Sequence, residues 1–135
     1  MTTDALIRVD NLVKQFGGRI HALNGVNAEI KRGEVVVVIG PSGSGKSTFL
    51  RCLNLLEMPT GGEIIFEGQS ITDDKCDINK IRQKMGMVFQ HFNLFPNMTI
   101  LKNITLAPVR TGLKSREQAE KDAVELLKRD RKSVV

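Results

Sequence analysis

The chain lacks the features that mark secreted, membrane-spanning or metal-binding proteins. No apolar segment approaches the roughly 18 residues of a transmembrane helix, and the longest uninterrupted apolar run is 35–39. Charged side chains interrupt the first ten residues at Asp4, Arg8 and Asp10, so we expect no secretory signal. The cysteines, Cys52 and Cys76, form no metal-binding or redox motif. These absences predict a cytosolic protein with two reduced thiols.

The charge balance argues against a nucleic-acid partner. The chain has 135 residues, the size of one domain or part of one, and a net charge of +5. The stretch KRDRK at 128–132 holds four bases and one acid, a balance of +3. Nucleic-acid-binding proteins usually spread basic residues along a face or helix. Charge gathered at one end indicates a solvated terminus.

Strands are predicted from the apolar pattern. Two strands are expected over 5–13 and 22–31, joined by a loop containing glycines, and a short strand over 63–68. The run VVVVI at 35–39 is apolar on both faces, as in the central strand of a covered parallel sheet. The stretch MGMVF at 85–89 predicts a second buried strand.

Helices are predicted between and after these strands. One is expected over 45–56 and a short one over 77–83. Another is expected over 99–106, where Pro108 should prevent its continuation. The last begins at Ser115, which forms a capping-box pattern with the glutamine three residues later.

The strongest motif is GPSGSGKST, which directly follows the run VVVVI and opens the first helix. It fits G-x-x-x-x-G-K-[ST], a loop whose backbone N–H groups bind phosphates. The predicted nucleotide-binding residues are the whole loop: Gly40, Pro41, Ser42, Gly43, Ser44, Gly45, Lys46, Ser47 and Thr48.

Each residue type in the loop meets a demand of phosphate binding. Gly43 and Gly45 remove side chains, so backbone N–H groups can approach the ligand, and the helix that follows directs its positive end at it. Lys46 supplies a mobile charge for the β- and γ-phosphates, and Ser47 a hydroxyl for Mg²⁺. Thr48 adds a hydroxyl near the α-phosphate.

Two long segments extend the motif into a family resemblance. LNGVNAEIKRGEVVVVIGPSGSGKSTFLRCLNLLEMPTGGEIIFEG at 23–68 and MGMVFQHFNLFPNMTILKNITLAPV at 85–109 closely resemble ATP-binding cassette (ABC) ATPases. The chain is most similar to ATPase subunits of bacterial polar amino acid importers, over about residues 5–129. The resemblance implies an α/β P-loop NTPase with a RecA-like parallel core and an N-terminal antiparallel β subdomain. Residues 1–135 would form one partial nucleotide-binding domain, incomplete at its C-terminal end.

The resemblance also implies roles for two further residues. Phe16, in KQFGG, matches an aromatic residue that stacks on adenine; the residue type alone would favour a core phenylalanine. Gln90, after MVF, matches a glutamine that reaches Mg²⁺ and the attacking water. The implied catalytic residues are Lys46 and Gln90, the metal ligands are Ser47 and Gln90, and the cofactors are ATP and Mg²⁺.

Partners follow from the same resemblance. Residues 91–98, HFNLFPNM, would face transmembrane permease subunits, although Phe92, Leu94 and Phe95 could equally be buried locally. A second ATPase subunit would complete a homodimer, and an extracytoplasmic solute-binding protein would act indirectly. The expected location is peripheral, on the cytoplasmic face of the cell membrane. Substrate selectivity in this family belongs to the partner proteins.

Three catalytic features of the family have no match in this sequence. After residue 48 no run of four apolar residues ends in Asp or Glu, and there is no LSGGQ signature; PTGGE at 59–63 lies too early. Neither His21 nor His91 lies where a switch histidine belongs. After AVELLKR the chain reads DRKSVV, which indicates truncation, a frameshift or a partial gene product. We expect this chain to bind ATP but not to hydrolyse it unaided, and to fold poorly or aggregate.

Two other classes compete with this interpretation. A different P-loop enzyme is possible, but a GTPase should carry D-x-x-G and N-K-x-D after the loop, and neither occurs. The third class is a non-catalytic interaction fragment whose basic tail contacts nucleic acid or acidic lipid. Salt-sensitive DNA binding would distinguish it.

Overall fold

The computed structural model describes residues 5–91 and 93–130, so the predictions on Phe92 and on the basic residues after 130 lie outside the described residues. The chain divides into two compact units, Met1–Met87 and Val88–Val135, which are described separately. The elements in chain order are β1 (Ala5–Phe16), β2 (Ile20–Lys31), α1 (Lys46–Leu53), β3 (Gly61–Phe66), β4 (Gln69–Ser70), α2 (Ile78–Gln83), α3 (Ile100–Arg110) and α4 (Arg116–Arg129).

The first unit is built on a four-stranded sheet with the order β2-β1-β3-β4, and every neighbouring pair is antiparallel. Strands β1 and β2 form the predicted hairpin, which is longer than expected because pairing continues to the Phe16–Ile20 pair beside the glycine turn. Strand β3 returns along the other edge of β1, where Val9 lies opposite Ile64.

A single apolar cluster holds α1 and α2 against this sheet. Cys52 of α1 and Ile81 of α2 are buried with strand and loop residues, and the cluster consists of Val9, Leu12, Leu23, Cys52, Leu55, Ile64, Phe66, Ile71 and Ile81. Each fully buried large apolar side chain contributes roughly 1.5–3 kcal/mol relative to an exposed one. Both cysteines are free, as predicted, and burial raises the pKa of the Cys52 thiol, so that side chain stays protonated and unreactive at neutral pH.

The predicted strands at 35–39 and 85–89 are not formed. Neither segment pairs with any strand among residues 5–91 and 93–130, and in the first of them Val35 is 89% exposed and Val37 77% exposed. An apolar run becomes a central strand only when neighbours take up its backbone N–H and C=O groups. The two strand predictions are therefore wrong for the described residues, and an apolar strip lies open to solvent.

We expect this exposed strip to make the polypeptide self-associate. Val35→Glu combined with Val37→Glu should lower light scattering at matched concentration, because two charges interrupt a short, strongly apolar β-forming segment. Leu113→Glu with Leu126→Glu is the matched control: both leucines are at least half exposed, and the charge change is the same. Equal light scattering from the wild type and the valine variant, or a monodisperse wild-type chain at that concentration, would contradict this expectation.

The helices of the second unit differ from prediction at one point. Helix α3 runs to Arg110 and contains Pro108, so the predicted closure before the proline is wrong. Pro108 lies in the last turn, where it removes one helical donor, and the end is closed by the Thr111 N–H donating to the Ala107 carbonyl at 3.0 Å. No helix of the described segments is long and apolar enough to cross a bilayer.

Helix α4 begins as predicted. The Ser115 hydroxyl accepts from the Gln118 N–H at 3.2 Å, but the Gln118 amide donates to Asp122, so the capping box is only half formed. Hydrogen bonds from Lys114 and then Gln118 lower the pKa of Asp122. Their stabilising effect is therefore present above the usual aspartate pKa and is lost as the pH falls through the lowered value.

Candidate functional site

The glycine-rich loop leads directly into α1 and leaves a ring of backbone donors at the helix start. The Ser44 N–H donates to the Pro41 carbonyl at 3.2 Å, and the first helical bond runs from the Phe49 N–H to the Gly45 carbonyl at 2.9 Å. The amides of residues 46–48 therefore have no acceptor within the helix. Together with the positive end of the helix dipole, they form an anion-binding surface.

Gly45 brings α1 against β2 more closely than any other residue could. It is the N-terminal cap of α1, with φ of +96°. A Cβ atom built there would lie 2.4 Å from the backbone oxygen of Ala22, well inside the contact distance of real Cβ atoms. The last glycine of the motif thus fixes the position of the start of α1 on the sheet.

Lys46 closes the loop on itself. Its Nζ donates to the Gly40 carbonyl, to the Pro41 carbonyl at 2.7 Å and to the Ser44 hydroxyl at 3.3 Å. These are charge-assisted hydrogen bonds to oxygen acceptors. Phosphate oxygens are acceptors of the same kind for an ammonium group.

A cavity of about 580 Å³ lies between this loop and the end of the β1–β2 hairpin. That volume is within the range of small-ligand sites. Phe16, 40% exposed, lies on its wall. The lining residues are Phe16, Ile20, His21, Ala22, Ser42, Gly43, Gly45, Lys46, Ser47 and Thr48. The structure therefore brings Phe16 together with most of the predicted loop, and the other three loop residues, Gly40, Pro41 and Ser44, contact Lys46.

Sequence reasoning missed the part of the wall that β2 supplies. Ile20 pairs with Phe16 and His21 with Gln15 across the hairpin, and the Gln15 amide donates to His21 Nδ1 at 3.2 Å. The available signal was the glycine turn, because a short turn fixes which residues of the two strands are opposite each other.

The far end of α1 is also held in place. Arg82 of α2 donates from Nε to the Asn54 carbonyl at 3.1 Å and from Nη2 to the Leu55 carbonyl at 3.0 Å. A cationic side chain at the carbonyl end of a helix is favourable for the helix dipole. Both ends of the helix that presents the loop are therefore fixed within the first unit.

Gln90 lies in the second unit, at an exposed bend with His91. In the loop that follows, Leu94 and Phe95 are each about half exposed. Asn103 of α3 holds this loop: its Oδ1 accepts from the Phe95 N–H at 2.8 Å, and its Nδ2 donates to the Thr99 carbonyl at 2.9 Å. In the part of the chain that the structure describes, no group of three or more His, Cys, Asp or Glu side chains could hold a metal ion.

The loop, the helix start and the adjoining cavity define a P-loop nucleotide-binding protein. The family model described as "ABC transporter" matches residues 23–134. The chain belongs to this family, as the sequence resemblance predicted, and its fold matches part of an ABC ATPase cassette, with an antiparallel N-terminal sheet.

The curated relatives of the chain include several amino acid transport ATP-binding proteins. The arginine transport ATP-binding protein ArtM of Bacillus subtilis is 51% identical over 124 residues, covering 92% of this chain and 51% of the relative. The glutamine transport ATP-binding protein GlnQ of Escherichia coli is 49% identical over 122 residues, covering 90% of this chain and 50% of the relative. The chain thus spans about half the length of the curated relatives it matches.

Solved structures agree with this assignment. The dimeric bacterial ABC transporter cassette MJ0796 superposes with a TM-score of 0.81 at 42% identity, covering 90% of this chain and 56% of that one. The same cassette in a post-hydrolysis state bound to ADP and Pi gives a TM-score of 0.80. Nucleotide binding is therefore a property of a close structural relative.

Proposed function

We propose that the chain is the ATP-binding part of an ABC importer for polar amino acids. The names of the curated relatives support the transport role. The single observation that carries the binding role is the cavity with the phosphate loop on one side and the Phe16 ring on the other. Residues 1–135 belong to one nucleotide-binding domain in this proposal.

The residues around the cavity suit a nucleoside triphosphate. The loop from Gly40 to Thr48 and the α1 amides bind the phosphates, with Lys46 contributing its charge. Phe16 stacks on adenine, a contact typically worth about 1–3 kcal/mol per base. Ser47 would offer its hydroxyl to Mg²⁺, which would neutralise phosphate charge when bound. The role of Gln90 at the metal stays a prediction from the family resemblance.

The partners follow from the family. Two ATPase subunits pair, as in the dimeric cassette that this chain resembles, and the pair associates with transmembrane permease subunits on the cytoplasmic face of the membrane. The half-exposed Leu94 and Phe95 contribute to the permease-facing surface, since apolar loop residues need cover. A solute-binding protein outside the membrane supplies the amino acid.

A titration tests the binding role and the expected lack of unaided hydrolysis. The 135-residue chain should bind a fluorescent ATP analogue in the presence of Mg²⁺, and ATP should displace the analogue much better than AMP, because the loop binds the β- and γ-phosphates. Phosphate release should equal that of Lys46→Ala. Equal competition by AMP would contradict the phosphate-loop assignment, and release above that of Lys46→Ala would contradict the expected inactivity.

A further inference from the structure

Lys14, two residues before Phe16 on β1, contacts three groups. Its Nζ donates to the Met58 carbonyl at 2.7 Å, lies 3.3 Å from Glu57 Oε1 and lies 5.1 Å from the centre of the Phe16 ring. The last distance is within the roughly 6 Å over which an ammonium group is attracted to a ring face. The Lys14 side chain is only 14% exposed, so water screens these contacts only weakly.

The segment 57–60, here called the strap, fastens the end of β1 at this point. Besides the two Lys14 contacts, the Thr60 N–H donates to the Val13 carbonyl at 2.8 Å, and the Thr60 hydroxyl accepts from the Gln15 N–H at 3.0 Å. The strap, which follows α1 in the chain, therefore holds Lys14 in place. A held ammonium group in turn constrains the ring beneath it.

We propose that Lys14 is a positioning residue for the base of the nucleotide, an inference that rests on the proposed ATP site. The ammonium group covers one face of the Phe16 ring, so a base can stack only on the other face. Lys14 acts through Phe16. It contributes to recognition of the base and not of the phosphates, which belong to Lys46 and the loop amides.

A ligand that lacks the base distinguishes the contribution of Lys14 to base recognition from the phosphate binding by Lys46 and the loop amides. Lys14→Met keeps a stem of similar length without the charge. It should weaken ATP binding by at least about two- to fivefold, because that is the range for exposed cation–π contacts and the Lys14 side chain is largely shielded from solvent. It should leave inorganic tripolyphosphate binding unchanged. Lys14→Arg, which keeps a cation able to lie over an aromatic face, should restore the ratio of ATP affinity to tripolyphosphate affinity to within about twofold of wild type.

A double-mutant cycle with Phe16→Leu separates positioning from a general structural role. If Lys14 acts through the ring, adding Lys14→Met to Phe16→Leu should cause no further loss of ATP affinity. Glu57→Gln tests the ion pair. It removes the charge of the strap partner but leaves the Met58 carbonyl as an acceptor for Lys14, so the affinity ratio should be kept.

The possible results distinguish this proposal from the ATP site itself. Equal loss of ATP and tripolyphosphate binding in Lys14→Met would show a long-range charge effect or a folding defect and overturn the positioning role. So would additive effects in the cycle, an unchanged affinity ratio, or failure of Lys14→Arg to restore it. If wild type and Lys46→Ala bind ATP equally, the proposed function fails first, independently of Lys14.

Discussion

Replacing Lys46 by alanine is expected to weaken binding of a fluorescent ATP analogue by at least about tenfold. The Nζ atom is held at the mouth of the phosphate loop by two carbonyls and the Ser44 hydroxyl. Alanine removes the side-chain cation that these hydrogen bonds hold at the loop. One charge-assisted hydrogen bond contributes roughly 1.5–3 kcal/mol, which corresponds to about one to two powers of ten in affinity.

The matched control for this variant is Lys80→Ala, which removes the same charge from an exposed position in α2. The control should bind the analogue within about twofold of wild type. Both variants should be measured by equilibrium titration, with thermal midpoints recorded alongside. Equal affinities of wild type and Lys46→Ala would show that the loop does not form a working site. An equal loss of affinity in both variants would show that the effect comes from net charge alone.

Gly45→Ala is expected to damage binding and folding together. An alanine at φ of +96° carries roughly 1–2 kcal/mol of backbone strain, and its Cβ would lie 2.4 Å from the Ala22 oxygen. Relieving that contact requires the helix start to move away from β2. Analogue binding should be lost. The thermal midpoint of the first unit, Met1–Met87, should fall by about ten degrees, since each 1 kcal/mol shifts a folded unit of that size by about 4–8 °C.

Gly68→Ala is the control that distinguishes backbone strain from the steric clash expected in Gly45→Ala. Gly68 has φ of +79°, but a Cβ there would meet nothing within 4 Å. The control should therefore show only the strain: a smaller drop in thermal midpoint and unchanged affinity. If both variants lowered the midpoint equally and kept nucleotide affinity, the close approach of α1 to β2 would not matter for the site.

Local signals in the sequence predicted the hairpin and the phosphate loop, because the residues that form them are close together in the chain. The glycine turn before Ile20 and the cap at Gly45 each depend on a few neighbouring residues. The runs at 35–39 and 85–89 carried an equally strong pattern. A strand, however, exists only through its neighbours, and none of the described residues pairs with them.

The remaining errors and omissions have a similar cause. In the sequence Pro108 predicts the end of a helix, whereas in the last turn it removes only one donor and the helix continues. The contact of Lys14 with Met58 joins positions 44 residues apart, so no local pattern indicates it. The role of Phe16 is a prediction from the family resemblance, since its residue type alone favours the core.

The strap has a consequence for the cost of binding. Residues 57–60 connect the chain after α1 to the end of β1, next to Phe16, while the other end of α1 forms the phosphate loop. The ring and the loop are thus held in one folded arrangement before any nucleotide arrives. Conformational entropy for bringing these two contact points together is lost when the first unit folds. A nucleotide bound at the proposed site would therefore meet a preorganised arrangement, and more of its contact energy would remain as affinity.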